Sequence, residues 1–171
     1  MKKGLVHIYT GPGKGKTTAA LGLALRAAGA GYSVYIYQFM KGRPCAEVSA
    51  LKKIKNIKLE RCGRGSFIKG RPAEADIGNA KKGLSIAKAA IASGRYDVVI
   101  LDEINIALRL GLIGIKETIE LIRNKPASVE LVLTGRGANP RLISQADYVT
   151  WFDKVKHPFD RGISARRGIE Y

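Results

Sequence analysis

Residues 9–18 read Tyr9-Thr10-Gly11-Pro12-Gly13-Lys14-Gly15-Lys16-Thr17-Thr18. Three glycines in five residues let the backbone approach anionic oxygens without a Cβ in the way. The apolar run over 5–9 predicts a buried strand before this stretch, and the alanine- and leucine-rich run over 18–26 predicts a helix after it. A glycine-rich turn between a strand and a helix N-terminus is typical of a phosphate-binding loop, so the sequence predicts a nucleoside triphosphate as ligand.

The spacing within the loop departs from the common pattern. Counting back from Gly15 places Thr10 where a glycine is usual, so the loop is one residue short when counted from Gly11. A shorter loop need not hold the β-phosphate as a hydrolase does, and transfer of the γ-phosphoryl group therefore does not follow. We expect Lys16 over the outer phosphates and the Thr17 hydroxyl on Mg²⁺. The predicted nucleotide-binding residues of the loop are Gly11, Pro12, Gly13, Lys14, Gly15, Lys16, Thr17 and Thr18.

The composition is that of one globular domain. The chain has 171 residues, 46% hydrophobic and 26% charged, which suffices for one core and not for two. We predict a single nucleotide-binding domain over 1–171, with 153–171 as an ordered tail without regular structure. No apolar run is long enough to span a membrane, and the first strand leaves no room for a signal peptide, so we expect a cytoplasmic protein without membrane contact. We interpret Cys45 and Cys62 as free thiols.

Positive charge is concentrated in one stretch of the chain. The net charge is +16, and residues 41–71 hold ten lysines and arginines against two acids. Such a surface is expected to meet an anion, and nucleic acid is the generic candidate. Because Phe67 is the one aromatic residue in that stretch, base stacking is disfavoured. An acidic small molecule, or solubility, are the other interpretations.

Strand-like runs alternate with helical segments, which indicates a parallel sheet with helices on both faces. One predicted helix carries an apolar stripe at Ile77, Ala80, Leu84, Ala87 and Ile91, and a shorter stripe predicts another helix over 115–122. We predict a doubly wound, P-loop NTPase-like α/β fold with a mainly parallel six-stranded sheet, whose ligands bind at the carboxyl ends of the strands. The expected strands are Val6–Thr10, 34–39, Ile57–Arg61, Val98–Asp102, 129–134 and 148–152.

Two carboxylates end the fourth predicted strand. Residues 98–101 are apolar and favour a strand, and Asp102 and Glu103 follow directly. Because parallel packing brings this strand end beside the phosphate-binding loop, we expect Asp102 to hold Mg²⁺ together with Thr17, directly or through a water molecule. Glu103 either polarises a water molecule, as in an ATPase, or acts as an outer ligand or helix-capping acid.

A third candidate follows the fifth predicted strand, in Thr134-Gly135-Arg136-Gly137. The flanking glycines free the backbone to aim Arg136 at the same cleft, where a guanidinium can bind phosphate oxygens with two parallel hydrogen bonds. Outside such a context, an arginine at a turn is usually just solvated. We predict that Lys16 and Arg136 are the catalytic residues, because both can stabilise negative charge on the phosphates.

Several short segments, spread from end to end of the chain, together resemble the ATP:corrinoid adenosyltransferase family. The short phosphate-binding loop of that family matches the missing residue noted above. The resemblance rests on 10–18, 38–42, Glu74-Ala75-Asp76, Leu101-Asp102-Glu103, 134–137, 155–160 and 168–171.

The resemblance implies transfer of the 5′-deoxyadenosyl group of ATP to the cobalt of a corrinoid reduced to Co(I), with release of triphosphate. It implies ATP, Mg²⁺ and a reduced corrinoid, a protein that supplies the electron, and a homodimer. The Co(I) nucleophile has no proton to lose, and the sequence accordingly shows no Ser-His-Asp or Cys-His constellation.

The corrinoid side of the site is less regular. In place of an aromatic pair common in the family the chain has Phe67 and Ile68, which we expect beside the corrin; alternatively, Phe67 anchors its loop to the core. Lys156 and His157 are expected to have a positioning or hydrogen-bonding role at most, whereas His7 is expected in the core of the first strand.

Two other classes of function remain open. One is a basic P-loop ATPase acting on nucleic acid, and the other is a nucleotide-binding regulatory module without catalysis. The charge over 41–71 also predicts that corrinoids with free carboxylates are used at least as well as fully amidated ones, with Arg64, Lys69 and Arg71 steering their approach.

Overall fold

The structure, a computed structural model, describes residues 2–42, 45–63, 68 and 70–171. Phe67, Arg64 and Lys69 therefore lie outside the described residues. Six strands form one sheet, in which every neighbouring pair is parallel. They are β1 (Val6–Thr10), β2 (Val34–Gln38), β3 (Ile57–Arg61), β4 (Val98–Asp102), β5 (Glu130–Thr134) and β6 (Tyr148–Trp151).

The strand order is β3-β2-β4-β5-β1-β6. β1 lies between the last two strands of the chain, so that Ile8 is in register with Leu133 on one side and Val149 on the other. β2, β4 and β5 lie side by side, which makes neighbours of the polar residues that end them, Gln38, Asp102 and Thr134. The predicted doubly wound parallel fold is confirmed.

Helices cover both faces of the sheet. Successive residues of a strand point to opposite faces, so Val34 and Ile36 of β2 pack in one core cluster and Tyr35 and Tyr37 in the other. The first cluster includes residues of α1 and α2, and the second includes residues of the four later helices. The helices are α1 (Lys16–Gly29), α2 (Ala46–Leu51), α3 (Glu74–Ala92), α4 (Ile104–Arg109), α5 (Ile115–Arg123) and α6 (Pro140–Ile143).

The apolar stripe of α3 lies against the sheet as predicted. Ala80, Leu84, Ala87 and Ile91 are buried, while Ile77 near the start of the helix is half-buried. Small residues in this stripe let the helix approach closely, and the sheet between the two layers is therefore buried on both faces over β2 and β4.

Three predicted strand boundaries are wrong by one residue. Phe39 lies beyond β2 because Met40 turns the chain with a left-handed φ of 58°. Val129 belongs to the turn that precedes β5, since its N–H bonds to the carbonyl of Pro126. Phe152 lies just beyond β6. The prediction of a tail without regular structure is also wrong, because Pro158–Arg161 form a 3₁₀ helix. Its start is fixed by the proline and by the His157 ring, whose Nδ1 accepts a hydrogen bond from the N–H of Phe159 at 3.2 Å.

Candidate functional site

The glycine-rich loop connects β1 to α1, as predicted. Lys16, the first residue of α1, is buried, and its ammonium donates to the carbonyl oxygens of Gly11 at 2.9 Å and Gly13 at 2.5 Å. The loop thus wraps around its own lysine. A Cβ on Gly13 would lie 2.2 Å from the carbonyl oxygen of Asp153, so only glycine lets the tail backbone pack this closely on the loop. The remaining loop residues, Pro12, Lys14, Gly15, Thr17 and Thr18, follow the same turn into α1.

Asp102, at the end of β4, is fully buried and makes four polar contacts. Its Oδ1 accepts hydrogen bonds from the hydroxyls of Thr17 at 2.9 Å and Thr134 at 2.6 Å. Its Oδ2 accepts from the amide of Gln38 at 3.1 Å and forms an ion pair with Lys41 at 2.8 Å. The structure therefore brings together Thr17 and Asp102, the two residues predicted to hold a metal ion.

Lys41 supplies the positive charge beside this carboxylate. Its ammonium is 2.8 Å from Asp102 and 3.5 Å from the Thr17 hydroxyl, with Glu47 at 3.9 Å. Burial on its own would lower the pKa of Lys41, but the carboxylate of Asp102, with help from Glu103 and Glu47, raises it overall. Lys41 is therefore a charged group that contacts both predicted metal ligands.

Glu103 takes up the first position before α4 with a left-handed φ of 64°. Its N–H donates to the Thr134 hydroxyl at 3.0 Å. Its Oε2 is buried without a hydrogen-bond partner among the described residues, and its side chain makes no capping bond to the described part of α4. Burial raises the pKa of Glu103, and the neighbouring Asp102 charge raises it further. A carboxylate held in this way lacks a structural partner, which favours a role toward a ligand over helix capping.

Arg136 lies exposed on the turn after β5. Burial lowers the pKa of Lys16, and the positive charge of Arg136 lowers it further, while Glu103 and Asp102 oppose this change. The charge of Arg136 is therefore close enough to the loop lysine to affect its pKa. The two residues predicted to be catalytic therefore lie on the same side of the sheet, at the carboxyl ends of β1 and β5.

The C-terminal tail contacts the nucleotide-binding loop. The N–H of Gly13 donates to the carbonyl of Phe152 at 2.7 Å, and Lys14 binds the Glu170 carboxylate at 3.0 Å. Hydrogen bonds from the Arg166 side chain and backbone, followed by that from Lys14, lower the pKa of Glu170 to about 2. Lys14 is thus paired with an anion of the chain itself.

Two other predicted residues, both histidines, have local partners. His157 caps the 3₁₀ helix described above, while Lys156 beside it is exposed. His7 is half-buried and not in the core as predicted: its Nε2 lies 2.5 Å from the Glu130 carboxylate and its ring stacks on Tyr148. The histidine therefore joins β1 to its two neighbouring strands.

Ile68 is half-buried and packs against the core beside Met40 and Leu112. A larger cavity of about 420 Å³ opens next to it, at the carboxyl ends of β2 and β3. Its polar lining includes Lys41, Arg61 and Lys82. Among the described residues that line it, none is acidic. We call this space the basic cavity.

Sequence reasoning missed four partners of the predicted site. Gln38 and Thr134 could have been found, because each is a polar residue that ends a buried strand. Lys41 and Glu170 are harder to find from the sequence. Lys41 reaches Asp102 only through the turn at Met40, and Glu170 meets Lys14 across 156 positions of the chain.

Within the residues that the structure describes, no three His, Cys, Asp or Glu side chains are grouped so that they could hold a metal ion. The described helices include none that is long and apolar enough to cross a membrane. A metal ion at Asp102 would therefore take its other ligands from the Thr17 hydroxyl, water and the nucleotide.

A parallel sheet with this loop after β1 and a buried aspartate at the end of β4 defines a P-loop nucleotide-binding protein. Two solved structures share the fold. A KaiC-like protein of Pyrococcus horikoshii OT3 has a TM-score of 0.57 and 19% identity over 91% of this chain and 75% of its own. The RadB recombinase has a TM-score of 0.54 and 14% identity over 91% and 77%.

The chain belongs to the family of ATP:corrinoid adenosyltransferases BtuR/CobO/CobP, whose model matches residues 2–171. A corrinoid adenosyltransferase of Pseudomonas aeruginosa is 34% identical over 99% of this chain and 85% of its own length. Those of Sinorhizobium and Escherichia coli K12 are 37% and 32% identical, again over 99% of this chain, and over 81% and 87% of theirs. The resemblance found in the sequence is confirmed, and an ATPase acting on nucleic acid is not favoured.

Proposed function

We propose that this enzyme transfers the 5′-deoxyadenosyl group of ATP to the cobalt of a reduced corrinoid. The observation that carries the proposal is the shortened loop in a chain that belongs to this family. The loop residue Thr17 donates a hydrogen bond to Asp102 at 2.9 Å. The Co(I) electron pair attacks C5′ of the ribose, the bond between C5′ and its oxygen breaks, and triphosphate leaves with that electron pair. The new bond joins cobalt to carbon.

The protein's main task in this reaction is to stabilise negative charge on the departing triphosphate. Lys16 and Lys14 belong to the loop, Arg136 acts electrostatically on Lys16, and the loop N–H groups add to the field of these cations. Lys16 is bound to the carbonyls of Gly11 and Gly13, so it is held in place before any phosphate arrives. Such preorganisation means that little reorganisation is needed as charge develops in the transition state.

We further propose that Mg²⁺ is held by Thr17 and Asp102. Both offer the hard oxygen donors that Mg²⁺ prefers, and the ammonium of Lys41 already lies 2.8 Å from Asp102 as a cation in the same surroundings. When bound, the metal ion would supply positive charge to the phosphate oxygens. Glu103, whose Oε2 has no hydrogen-bond partner among the described residues, would be available to accept a hydrogen bond from a water molecule of that ion.

The acceptor side of the site is proposed to lie at the basic cavity. It opens beside Lys41, at the carboxyl ends of β2 and β3, where ligands of doubly wound sheets bind. Ile68 packs at its border, and Phe67, predicted beside the corrin, lies outside the described residues. A corrinoid there would have its polar periphery among cations.

We also propose a protein partner that donates the electron, a location in the cytoplasm and a homodimer. A separate protein reduces the cobalt, and the need for ATP places the enzyme in the cytoplasm. A homodimer is supported by edge strand β6, where Val149 and Trp151 are 46% and 63% exposed. Light scattering of the purified protein measures the mass in solution, and a monomeric mass at micromolar concentration would contradict the dimer.

The decisive experiment follows corrinoid absorbance with ATP under strong reductant, and then identifies the phosphorus products by NMR. Triphosphate is expected, in amounts equal to the cobalt–carbon bonds formed. ADP with inorganic phosphate would instead mean attack at the γ-phosphorus and would overturn the proposal.

A further inference from the structure

Lys41 stands between the two proposed substrate sites. On one side its ammonium contacts Asp102 at 2.8 Å and Thr17 at 3.5 Å. On the other side it lines the basic cavity, together with Arg61 and Lys82. Lys41 thus both contacts Asp102 and lines this cavity.

The turn that presents Lys41 is strained. Met40 has a left-handed φ of 58°, which is unfavourable for a residue with a long side chain. A Cβ on Gly63 would lie 2.6 Å from the Met40 carbonyl carbon and 2.8 Å from the Lys41 nitrogen, so glycine is required there. The N–H of Cys62 bonds to the Gln38 carbonyl at 3.0 Å and holds the two segments together. Strain kept in place by close packing is typical of a functional position.

We propose that Lys41 carries its charge from one site to the other: it neutralises Asp102 before nucleotide and metal bind, and is displaced into the basic cavity when they do. There it contacts a carboxylate of the corrinoid periphery. The inference rests on the proposed function and gives Lys41 the role of coupling the nucleotide and metal site to the acceptor site.

Electrostatics supplies the reason for displacement. A buried carboxylate needs a positive partner, and Lys41 provides one. A divalent ion bound by Asp102 and Thr17 would repel an ammonium within contact distance of both. The flexible four-carbon stem of lysine allows the ammonium to move, and the cavity already borders its side chain. ATP with metal would thereby make the cavity more positive.

Thermodynamic linkage makes this testable by binding alone. If nucleotide and metal tighten the binding of an acidic corrinoid, the acidic corrinoid tightens theirs by the same factor. The probe is an oxidised corrinoid with free carboxylates, which cannot react without reductant. Its dissociation constant is measured with and without Mg²⁺ and ATP in wild type, in Lys41→Met and in the control Lys53→Met, which changes an exposed lysine after α2.

In wild type and in Lys53→Met we expect nucleotide with metal to tighten binding of the acidic corrinoid by roughly fivefold or more. In Lys41→Met the ratio should fall close to one, and in Lys41→Arg, which keeps the charge, part of it should return. A fully amidated corrinoid should show a smaller ratio than the acidic corrinoid in wild type and in Lys53→Met. Equal ratios in wild type and Lys41→Met would overturn the proposal, as would a wild-type ratio of one.

A second measurement uses Mn²⁺ without nucleotide, followed by electron paramagnetic resonance. Lys41→Met should bind Mn²⁺ several-fold more tightly than wild type, because no ammonium competes for Asp102; equal affinity would overturn the proposal. Circular dichroism of each variant shows whether it is folded, and if Lys41→Met is not, Lys41→Gln replaces it in both measurements. Failure of the proposed function is recognised separately, since it would show as ADP and phosphate among the products of the wild-type enzyme.

Discussion

Thr17 and Asp102 are 85 positions apart in the sequence, and the hydroxyl of the first donates a 2.9 Å hydrogen bond to Oδ1 of the second. Thr17 lies in the first turn of α1 and Asp102 ends β4, which is separated from β1 by β5. The bond therefore spans the carboxyl edge of the sheet. It sets the distance between the phosphate-binding loop and the acidic strand end before any ligand is bound.

Asp102→Asn is expected to weaken both metal binding and the fold. The new amide would present N–H groups where Asp102 Oδ2 now accepts from Gln38 and Lys41, and Lys41 would lose its main counter-charge. We expect a loss of about 2 kcal/mol in the free energy of unfolding, less than for a fully buried pair because Lys41 is partly exposed. Urea unfolding measures this, and the Mg²⁺ concentration for half-maximal activity should rise. An unchanged Mg²⁺ requirement would show that Asp102 is not beside the metal.

Lys16→Met is expected to reduce kcat by about a hundredfold, which corresponds to roughly 3 kcal/mol of transition-state stabilisation. The methionine stem keeps the packing but removes both bonds to the loop carbonyls. Rates at saturating ATP test this, with Lys88→Met on the exposed face of α3 as the matched control. A variant with more than half of the wild-type rate would contradict the proposed placement of the triphosphate.

Glu170→Gln is expected to lower the KM for ATP. The Lys14 ammonium donates a hydrogen bond to the Glu170 carboxylate at 3.0 Å. A phosphate oxygen must therefore compete with this carboxylate for Lys14. Since the pair is exposed and weak, the fall should be modest, roughly two- to fivefold, with kcat unchanged. Steady-state kinetics decide, using Glu120→Gln on α5 as the control. A higher KM would mean that Glu170 assists nucleotide binding.

The Glu170 contact also has a defined pH dependence. Its pKa is lowered from 4.5 to about 2 by the bonds from Arg166 and Lys14. A lowered pKa means that the contact stabilises the tail fully above pH 4.5 and that this stabilisation is lost as the pH falls toward 2. The side-chain carboxyl carbon, followed by NMR, should titrate with a midpoint near 2 in wild type and nearer 4.5 in Arg166→Ala. A wild-type midpoint near 4.5 would show that Glu170 accepts these bonds from neither Arg166 nor Lys14.

Lys82→Met is expected to raise the KM for corrinoids with free carboxylates by roughly threefold, as for a partly exposed charge. It should also weaken the dependence of KM on salt, because one cation of the basic cavity is removed. Amidated corrinoids should be affected less. Assays at several salt concentrations with both acceptors make the comparison. If Lys82→Met changed the KM of both acceptors equally, the basic cavity would not be the place where corrinoid carboxylates bind.

Much of the fold could be predicted because its signals are local. Parallel strands buried on both faces are continuous apolar runs, and none of the six predicted strands needs more than a one-residue change at either end. The glycine-rich loop, the strand ending in Asp102 and the stripe of α3 are short patterns whose meaning depends on covalent neighbours. These patterns correctly predicted that Thr17 and Asp102 lie close together.

The rest of the site depends on long-range geometry that local patterns do not encode. Lys41 reaches Asp102 because Met40 adopts a left-handed conformation against Gly63, and nothing in the residues of 38–42 alone requires that turn. The pairing of Lys14 with Glu170 likewise depends on where the tail runs after β6. The half-buried position of His7 reflects its two neighbouring strands, which come from the far end of the chain.

The position of β1 has a consequence for biosynthesis. β1 is synthesised before the other five strands of this sheet, yet the two strands that pair with it, β5 and β6, are synthesised after β2, β3 and β4. The Gly13 N–H and the backbone around Asp153 then close on the loop only after β6 has emerged. Nascent chains that stop before Tyr148 therefore cannot assemble this ATP site, so ligand-assisted folding is deferred until β6 has emerged.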